Sequence, residues 1–355
     1  MSEILGVGLT HYPGLLVPPD NWPRMLKRGV EIGRIPADLY ADHQRWPKEM
    51  LAEWGTDEGV AAARAHERRL VAAFKSLRRS LDAFAPDLVL IWGDDQYENF
   101  RKDCIPAFCL YLFDELECRP YGGGRRPFQT TESAWGLPED TVMRVRGHPE
   151  AADALCRHLL GEGFDIAYAS ETRAERGLAH SFNNTIVYLD RERRGFDYPV
   201  LPFHVNCYGN QILRAANPDA SGAKAALDRS PPSPSPRRCF DIGRTTARFF
   251  LQSPWRVALI ASSSWSHATL TAKHGRLYPD VAADRKLHDE LRDGAFTHWG
   301  ELPLARIEDA GQHEMLNWIC LAGAMTELGQ RSEIVDYVES YVFNSSKCFA
   351  LFPPA

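Results

Sequence analysis

Residues 88–100, LVLIWGDDQYENF, decide the fold. The segment opens with five apolar residues, Leu88 to Trp92, which are typical of a buried β-strand. Gly93 ends this run, and the polar residues that follow are Asp94, Asp95, Gln96 and Glu98. In α/β proteins, polar groups just after the carboxyl end of a buried strand commonly build a site. Adjacent carboxylates resist burial without compensation, so the segment predicts either the wall of a site or an acidic, solvated turn.

A long amphipathic helix leads into this strand. Between residues 60 and 85, apolar side chains recur every three or four positions, and Arg and Lys occupy the other face. Pro86 ends the helix. An earlier strand is predicted at residues 4–9, and a long crossover between two strands is typical of parallel alignment. The sequence therefore predicts an α/β protein with a central mixed or largely parallel sheet flanked by helices.

The remaining elements continue this alternation of strands and helices. Further strands are predicted at residues 106–113, 165–169, 199–206, 255–261 and 332–343, and further helices at residues 149–161, 240–252, 281–292 and 312–328. Two polar, proline-rich segments, at about residues 15–56 and 207–238, are predicted to cover the sheet as loops. No internal repeat is present. We therefore expect one domain over residues 1–355.

Composition excludes several classes of protein. Apolar residues make up 44% and charged residues 25% of the chain, as in ordinary globular proteins with a core. The formal net charge is −6 and no dense basic run occurs, so we expect no nucleic-acid partner. Apolar runs are too short for a membrane span, and the N-terminus lacks a basic signal-peptide region. The eight cysteines form no CxxC pair, which favours reduced, mostly buried thiols in a cytoplasmic protein.

Polar residues follow four of the predicted strands. Since the carboxyl ends of parallel strands share one sheet edge, we expect a single polar cleft there. The residues at these strand ends are His11; Asp95, Gln96 and Glu98; His204 and Asn206; and Ser266 and His267. His180 is predicted to lie in a loop, and Asp280 beside the start of a helix. The other eight histidines, His313 among them, fall in surface-like contexts.

Seven motifs resemble, in the same order, those of the class III extradiol ring-cleavage dioxygenases, the LigB-type family that includes the catalytic subunit of protocatechuate 4,5-dioxygenase. The resemblance runs from Leu5 to about Phe352, nearly the whole chain. The motifs are GLTHYPG (8–14), LVLIWGDDQYENF (88–100), GLAHSF (177–182), PVLPFHVNCYG (199–209), PSPSPRRCFDIG (232–243), ASSSWSH (261–267) and NWICLAGAM (317–325). A LigB-like fold is thereby implied.

The resemblance implies a non-haem Fe(II) held by two histidines and a glutamate, with open positions for a catecholate and O2. His11 matches the first ligand of the family. Gln96 stands where the second histidine is expected, and Asp280 is the carboxylate nearest to the glutamate, although a count without gaps puts Ala282 there. Asp95 and Glu98 are substitutes for a missing ligand. The implied metal set is therefore His11, Gln96 and Asp280, two of which depart from the family pattern.

Proton transfer and substrate binding have separate candidates. The resemblance implies catalytic roles for His180 and His267, and the alternation of its strand adds His204. Asn206 is a candidate donor to a bound oxygen, or a residue that caps the strand end. Tyr208 and Trp265 are candidates for lining an aromatic substrate site, and core packing is the other interpretation of both.

Three functions remain open from the sequence. The first is an Fe(II)-dependent dioxygenase that cleaves a carbon–carbon bond of a catechol-like or other small aromatic substrate with O2. The second is a hydrolase or lyase that uses another divalent metal, because carboxylate and amide oxygens suit harder cations. The third is a metal-free, non-catalytic subunit or binding protein. A homo-oligomer is expected from the family resemblance.

Overall fold

Eight of the ten strands in the described part of the chain form one mixed sheet. The computed structural model describes residues 3–101, 103–121, 128–209 and 231–354. The strands are β1 (Ile4–Leu9), β2 (Leu88–Gly93), β3 (Phe108–Tyr111), β4 (Glu115–Cys118), β5 (Met143–Arg146), β6 (Ala167–Ala169), β7 (Val200–Val205), β8 (Val257–Ser262), β9 (Glu333–Val338) and β10 (Lys347–Phe352). The order in the large sheet is β6-β3-β7-β2-β8-β1-β10-β9, and β4 and β5 form a separate hairpin.

Ten α-helices lie within the described residues. They are α1 (Arg24–Glu31), α2 (Ala37–Ala41), α3 (Lys48–Trp54), α4 (Val60–Phe84), α5 (Pro149–Gly161), α6 (His180–Leu189), α7 (Pro236–Leu251), α8 (Val281–Arg292), α9 (Leu304–Asp309) and α10 (Met315–Leu328). Short 3-10 helices occur at Pro13–Leu16, Pro19–Asn21, His43–Arg45, Ala268–Leu270, Ala272–His274 and Ala295–Glu301. No helix in these parts of the chain is long and apolar enough to cross a membrane.

The four central strands β7, β2, β8 and β1 are parallel. Antiparallel strands flank them, because β3 pairs with β7 and β10 pairs with β1. The prediction of a mixed or largely parallel sheet flanked by helices is therefore confirmed. β1 and β2 run in the same direction, as the long crossover between them predicts, but β8 lies between them. Their carboxyl ends still share one edge of the sheet.

Both faces of the sheet are buried, which explains why its central strands are continuous apolar runs. In β2, Leu88, Leu90 and Trp92 belong to a core that includes residues of α7 and α10. Val89 and Ile91 point to the other face and pack in a core with residues of α4 and α6. The strand that the sequence places at the centre of the fold therefore contributes to both cores.

Several boundaries differ from the prediction. The strand expected at residues 332–343 ends at Val338, and β10 follows it as a further, unpredicted strand. α7 begins at Pro236, because Ser235 accepts a hydrogen bond from the backbone N–H of Arg238 and caps the helix. Most of the second predicted covering loop, residues 210–230, lies outside the described residues. The first, at 15–56, contains α1, α2, α3, two 3-10 helices and the end of a third.

Two further predictions concern single residues and short segments. His180 was expected in a loop but is the first residue of α6, whose first turn is polar and yet buried. Because the side chains of that turn are mostly polar, hydrophobic periodicity does not predict the start of the helix. All eight cysteines are free, and seven are buried while Cys104 is exposed. The expectation of mostly buried thiols is therefore met.

Close packing of α7 against α10 depends on two glycines. A Cβ atom at Gly243 would lie 1.8 Å from the carbonyl oxygen of Cys320, and one at Gly323 would lie 2.0 Å from that of Phe240. Neither contact can be relieved by rotating a side chain, since both involve backbone. A larger residue at either position forces the two helices apart.

We expect Gly243→Ala to lower the free energy of unfolding by roughly 1–3 kcal/mol, because overpacking at a backbone contact displaces α10. Chemical denaturation with circular dichroism measures this. Gly161→Ala is the matched control, since a Cβ atom at Gly161 in α5 has no neighbour within 4 Å. Equal stabilities of the two variants would contradict the packing argument.

Lys347 is a fully buried cation in β10. Its ammonium group donates a hydrogen bond of 3.0 Å to the carbonyl oxygen of Phe343 and lies 4.0 Å from the centroid of the Tyr12 ring. Burial lowers the pKa of Lys347 from 10.5 to about 7, although the charge of Glu53 opposes this. Glu53, in α3, accepts hydrogen bonds from the backbone N–H groups of Tyr341 and Val342. These contacts connect the first covering segment to the turn between β9 and β10.

Between about pH 7 and pH 10.5 the folded protein binds fewer protons at Lys347 than the unfolded chain, so folding is weakened as the pH falls through this window. Lys347→Met removes this pH-dependent contribution to the free energy of unfolding. We expect the stability of the variant relative to wild type to be higher at pH 7 than at pH 9 by roughly 2 kcal/mol. Thermal unfolding at both pH values measures it. Lys286→Met, at an exposed lysine of α8, is the matched control.

Candidate active site

The candidate site lies at the carboxyl edge of the parallel strands. His11 follows β1, Gln96 follows β2, and His267 follows β8, so the common direction of these strands brings the three side chains to one cavity. The cavity has a volume of about 460 Å³. His180 from the start of α6 and Glu314, which directly precedes α10, complete its polar wall.

Three histidines are oriented in the same way. Each Nδ1 atom lies at hydrogen-bond distance from an acceptor: the Ser262 carbonyl for His11 (2.9 Å), the Glu98 carboxylate for His180 (2.7 Å) and the Trp265 carbonyl for His267 (2.8 Å). A carbonyl or carboxylate oxygen accepts only from N–H, so Nδ1 carries the proton in each ring. The Nε2 atoms are left for other partners. In this tautomer a neutral histidine is ready to bind a metal or to accept a proton.

Glu98 holds His180 in place. Its carboxylate accepts the backbone N–H of His180 at 3.1 and 3.2 Å, at the N-terminus of α6, as well as the ring N–H. Burial by itself lowers the pKa of His180, but the charges of Glu98 and Asp94 raise it to about 10. Burial raises the pKa of Glu98, and the His180 charge and hydrogen bonds more than reverse this. Without another cation nearby, His180 is therefore protonated at neutral pH.

Two buried carboxylates, Asp94 and Glu314, face this group. Tyr208 donates a hydrogen bond to Oε1 of Glu314, and the Gln96 amide nitrogen lies 3.3 Å from the same atom. Oε2 of Glu314 is buried without a hydrogen-bond partner and lies 3.4 Å from Nε2 of His11. Burial and the Asp94 charge raise the pKa of Glu314 well above its usual value, and burial raises that of Asp94 to about 6. The pair therefore needs protons or a cation.

A divalent cation fits these residues. Ligand atoms of His11, Asp94 and His180 all lie within 4.8 Å of one another, which gives two imidazoles and one carboxylate. This is the donor set of mononuclear non-haem iron sites. Nε2 of His11 and Oδ1 of Asp94 are 3.9 Å apart, and metal bonds of about 2.1 Å place neighbouring ligand atoms about 3 Å apart. His11, Asp94 and His180 would hold such a cation, and Glu314 Oε2 lies 3.4 Å from Nε2 of His11.

The predicted metal ligands are only partly brought together. His11 and Gln96 both line the cavity. The Asp280 carboxylate instead accepts the backbone N–H of Ala283 as the N-cap of α8 and pairs with Lys273 at 2.7 Å, so the structure does not group it with His11. Asp95, the proposed substitute metal ligand, is hydrogen-bonded within its own turn. It accepts three backbone N–H groups of the turn after β2, from Glu98, Asn99 and Phe100.

The predicted proton-transfer and substrate-binding residues fall into two groups. His180, His267 and Tyr208 line the cavity. His204, Asn206 and Trp265 do not: the ring of His204 packs against Phe100, with centroids 4.7 Å apart, and Trp265 packs among other aromatic residues in the core. Asn206 donates its backbone N–H to the carbonyl of Ala107 beyond the end of β7. Strand alternation therefore turns His204 into the interior rather than toward the cavity.

Sequence reasoning missed part of the site. Glu314 was treated only as part of an apolar helix, and Asp94 was not chosen as a ligand. The signal available in the sequence was an acid directly before the otherwise apolar run of α10. His313 was placed in a surface-like context, but it is buried and its ring lies parallel to Tyr208, with centroids 5.8 Å apart. Its neighbour Glu314 occupies the cavity wall.

Comparisons with known proteins agree with the chemistry of this site. No protein-family model matches the chain. It is 25% identical over 286 residues to a 2,3-dihydroxyphenylpropionate/2,3-dihydroxicinnamic acid 1,2-dioxygenase of Burkholderia vietnamiensis, which covers 74% of this chain and 83% of that protein. The identically named protein of Paraburkholderia phymatum is 26% identical over 284 residues, which cover 73% of this chain and 82% of that protein. The chain is similar to dioxygenases.

A further relative with this name, from Photorhabdus laumondii, is 24% identical over 217 residues, 61% of this chain and 54% of that protein. With this relative and with one from Pseudomonas putida, the chain spans about half the length of the protein it matches. Among solved structures, an uncharacterized protein from Escherichia coli K12 aligns over 80% of this chain and 92% of its own length, with 12% identity and a TM-score of 0.46. The curated relatives support the predicted class of aromatic-compound dioxygenase at distant identity.

The pairing of His180 with Glu98 is directly testable. We expect Glu98→Gln to lower the pKa of His180 well below about 10, because it removes the nearest negative charge from a buried ring. A titration of the histidine ring protons by NMR in the absence of metal measures the shift. The exposed Glu58→Gln control, which breaks only the pair with Lys27, should leave His180 unchanged.

In wild type the His180 pKa lies above its unfolded value near 6.5, so the stabilisation from this pair is complete below that pH and is lost as the pH rises through about 10. An unchanged His180 titration in Glu98→Gln would contradict this assignment of the interaction.

Proposed function

We propose that the protein is an extradiol-type dioxygenase that cleaves a carbon–carbon bond of a catechol-like or other small aromatic substrate with O2. The observation that carries this proposal is the convergence of His11, Asp94 and His180 within 4.8 Å beside a cavity. The similarity to relatives named as dioxygenases on dihydroxylated aromatic acids supports the same reaction class. The activity and substrate of the whole protein are part of this proposal.

The metal that we propose is Fe(II), held by His11, Asp94 and His180. Fe(II) held by these residues would supply open coordination positions for a catecholate and O2. This ligand set replaces the one that the family resemblance implies, because Asp280 is committed to the N-terminus of α8 and to Lys273. Gln96 is then a hydrogen-bond donor to the carboxylates rather than a ligand.

In this proposal His267 accepts the proton from the substrate. Burial lowers its pKa to about 3, so the ring is neutral at physiological pH. Its Nδ1–H donates to the Trp265 carbonyl, which leaves the Nε2 lone pair to accept a proton from a substrate hydroxyl in the cavity. Nε2 lies 3.5 Å from Oε1 of Glu314. Because burial also keeps Glu314 protonated more readily than an exposed acid, this carboxyl group can return a proton to the same position.

Tyr208 and Gln96 orient Glu314. Both are hydrogen-bonded to its Oε1 atom, and the Gln96 amide also lies 2.9 Å from the Tyr208 hydroxyl oxygen. This arrangement directs Oε2 toward His11. Glu314 therefore acts as the residue that connects the proposed metal site to His267.

A second candidate function is a metal-free binding protein, and one observation favours it. His180 and Gln96 already supply a charge and hydrogen bonds to the buried carboxylates Glu98, Asp94 and Glu314. These contacts compensate part of the buried negative charge without a metal ion. A hydrolase or lyase that uses another divalent ion is the third candidate. Metal content separates the second candidate from the others, and O2 consumption separates the dioxygenase from the hydrolase.

We expect protein reconstituted with Fe(II) without oxygen to hold about one iron per chain and to consume O2 with 2,3-dihydroxyphenylpropionate, giving a yellow ring-opened product. His11→Ala and Asp94→Asn should each weaken iron binding at least tenfold, since each removes one of three ligands. Iron content and an oxygen electrode measure both effects. His298→Gln, at an exposed histidine, is the matched control and should retain iron and activity.

Absence of bound iron, manganese and zinc after reconstitution would contradict every metal-dependent candidate. Stoichiometric metal without O2 uptake on any catechol would contradict the dioxygenase and favour a hydrolase or lyase. If Asp280→Asn, rather than Asp94→Asn, abolished iron binding, the ligand set implied by the family resemblance would be right and ours wrong.

A further inference from the structure

Two arginines line the same cavity and have no acidic partner among the described residues. Arg34 lies between α1 and α2 in the covering segment, and Arg276 lies in the turn before α8. Within the described residues, neither guanidinium group makes an ion pair or a side-chain hydrogen bond. Arg28, the third arginine of the cavity wall, is paired with Glu31 at 3.2 Å. Two of the three arginine charges at the cavity are therefore not paired with any acid in the described part of the chain.

The two free guanidinium groups are close enough to affect each other. Partial burial and, next, the positive charge of Arg276 both lower the pKa of Arg34. Like charges gathered at a cavity repel each other and favour a bound anion. Planar guanidinium groups also match the geometry of a carboxylate better than an ammonium group does.

The backbone directs Arg276 to this place. Gly275 and Arg276 have consecutive positive φ angles of 60° and 58°, and a positive φ is unfavourable for a residue other than glycine. The backbone N–H of Arg276 donates to the carbonyl of Thr271 and closes the turn. Arg34 is placed by the end of α1, where its backbone N–H donates to the carbonyl of Gly29. Two separate segments therefore bring arginines to one cavity.

The rest of the cavity wall suits an aromatic ring. The covering segment contributes the apolar side chains of Met25, Leu26 and Ile35, and Leu270 and Val342 come from elsewhere in the chain. The acidic groups Asp94 and Glu314 are contacted by Gln96, and Glu314 also by Tyr208, at Oε1. A ligand with a ring and one anionic substituent would match both the apolar wall and the arginine pair.

We propose that Arg34 and Arg276 form a subsite for a carboxylate on the substrate, so that the protein selects aromatic acids over neutral aromatic compounds of the same size. The inference names the substrate class of the proposed dioxygenase and in that respect rests on the proposed function. The binding of an aryl carboxylate is nevertheless independent of metal and of turnover. Arg34 and Arg276 are binding residues and take no part in the reaction itself.

The test is binding to the full-length, metal-free protein by isothermal titration calorimetry. The probes are 3-phenylpropionate and 3-phenyl-1-propanol, which share the ring and chain but differ in charge. We expect wild type to bind the carboxylate at least tenfold more tightly, and this preference to shrink as salt is raised. Arg34→Gln/Arg276→Gln should bind both probes equally. Arg45→Gln is the control. It also removes one positive charge from the covering segment, but at an exposed arginine that pairs with Asp38.

The possible outcomes separate this inference from the proposed function. A carboxylate preference in wild type that survives in the double variant, or no preference at all, overturns the inference even if the protein cleaves catechols. A preference that depends on both arginines, found in a protein without O2 uptake, supports the subsite and contradicts only the dioxygenase. Circular dichroism of the double variant confirms that any loss is not caused by unfolding.

Discussion

The parallel alignment of β7, β2, β8 and β1 is the constraint on which the site depends. It makes neighbours of residues that follow different strands, and so His11, Gln96 and His267 line one cavity although they are far apart in the chain. Helices from opposite faces of the sheet then add one residue each, since α6 begins with His180 and Glu314 directly precedes α10. A shift in the order of the strands would remove the site without changing any of its residues.

Electrostatics limits what this arrangement can do. Burying carboxylates costs free energy unless protons, donors or cations compensate them. Glu98 is compensated by His180, whereas Glu314 keeps one buried oxygen without a hydrogen bond beside His11. The site is therefore suited to hold a cation, and Tyr208 and Gln96 keep its carboxylate oriented. At the same cavity Arg34 and Arg276, which make no ion pair within the described residues, present the opposite charge. A ligand with a metal-binding end and an anionic end therefore matches both.

Sequence reasoning was most successful where a local pattern has one structural meaning. Helix α4 was predicted to within one residue at its end, and the helix at 281–292 matches α8, because periodicity and caps are local. It was least successful where a residue has two uses. Asp280 carries a carboxylate near the expected position, yet the helix that starts at Val281 needs an N-cap and uses it. The buried polar turn of α6 and the acid before α10 were missed since burial depends on distant segments.

The sequence by itself determined the α/β class, the parallel-rich sheet and the edge at which polar residues gather, because apolar periodicity and strand ends are written along the chain. It also identified His11, Gln96, His180, Tyr208 and His267, which all line the cavity. Only the tertiary structure decided which carboxylates accompany them, how each histidine ring is oriented, and that Arg34 and Arg276 have no ion-pair partner among the residues that it describes. These properties depend on distances between segments far apart in sequence, and on burial, which no single segment controls.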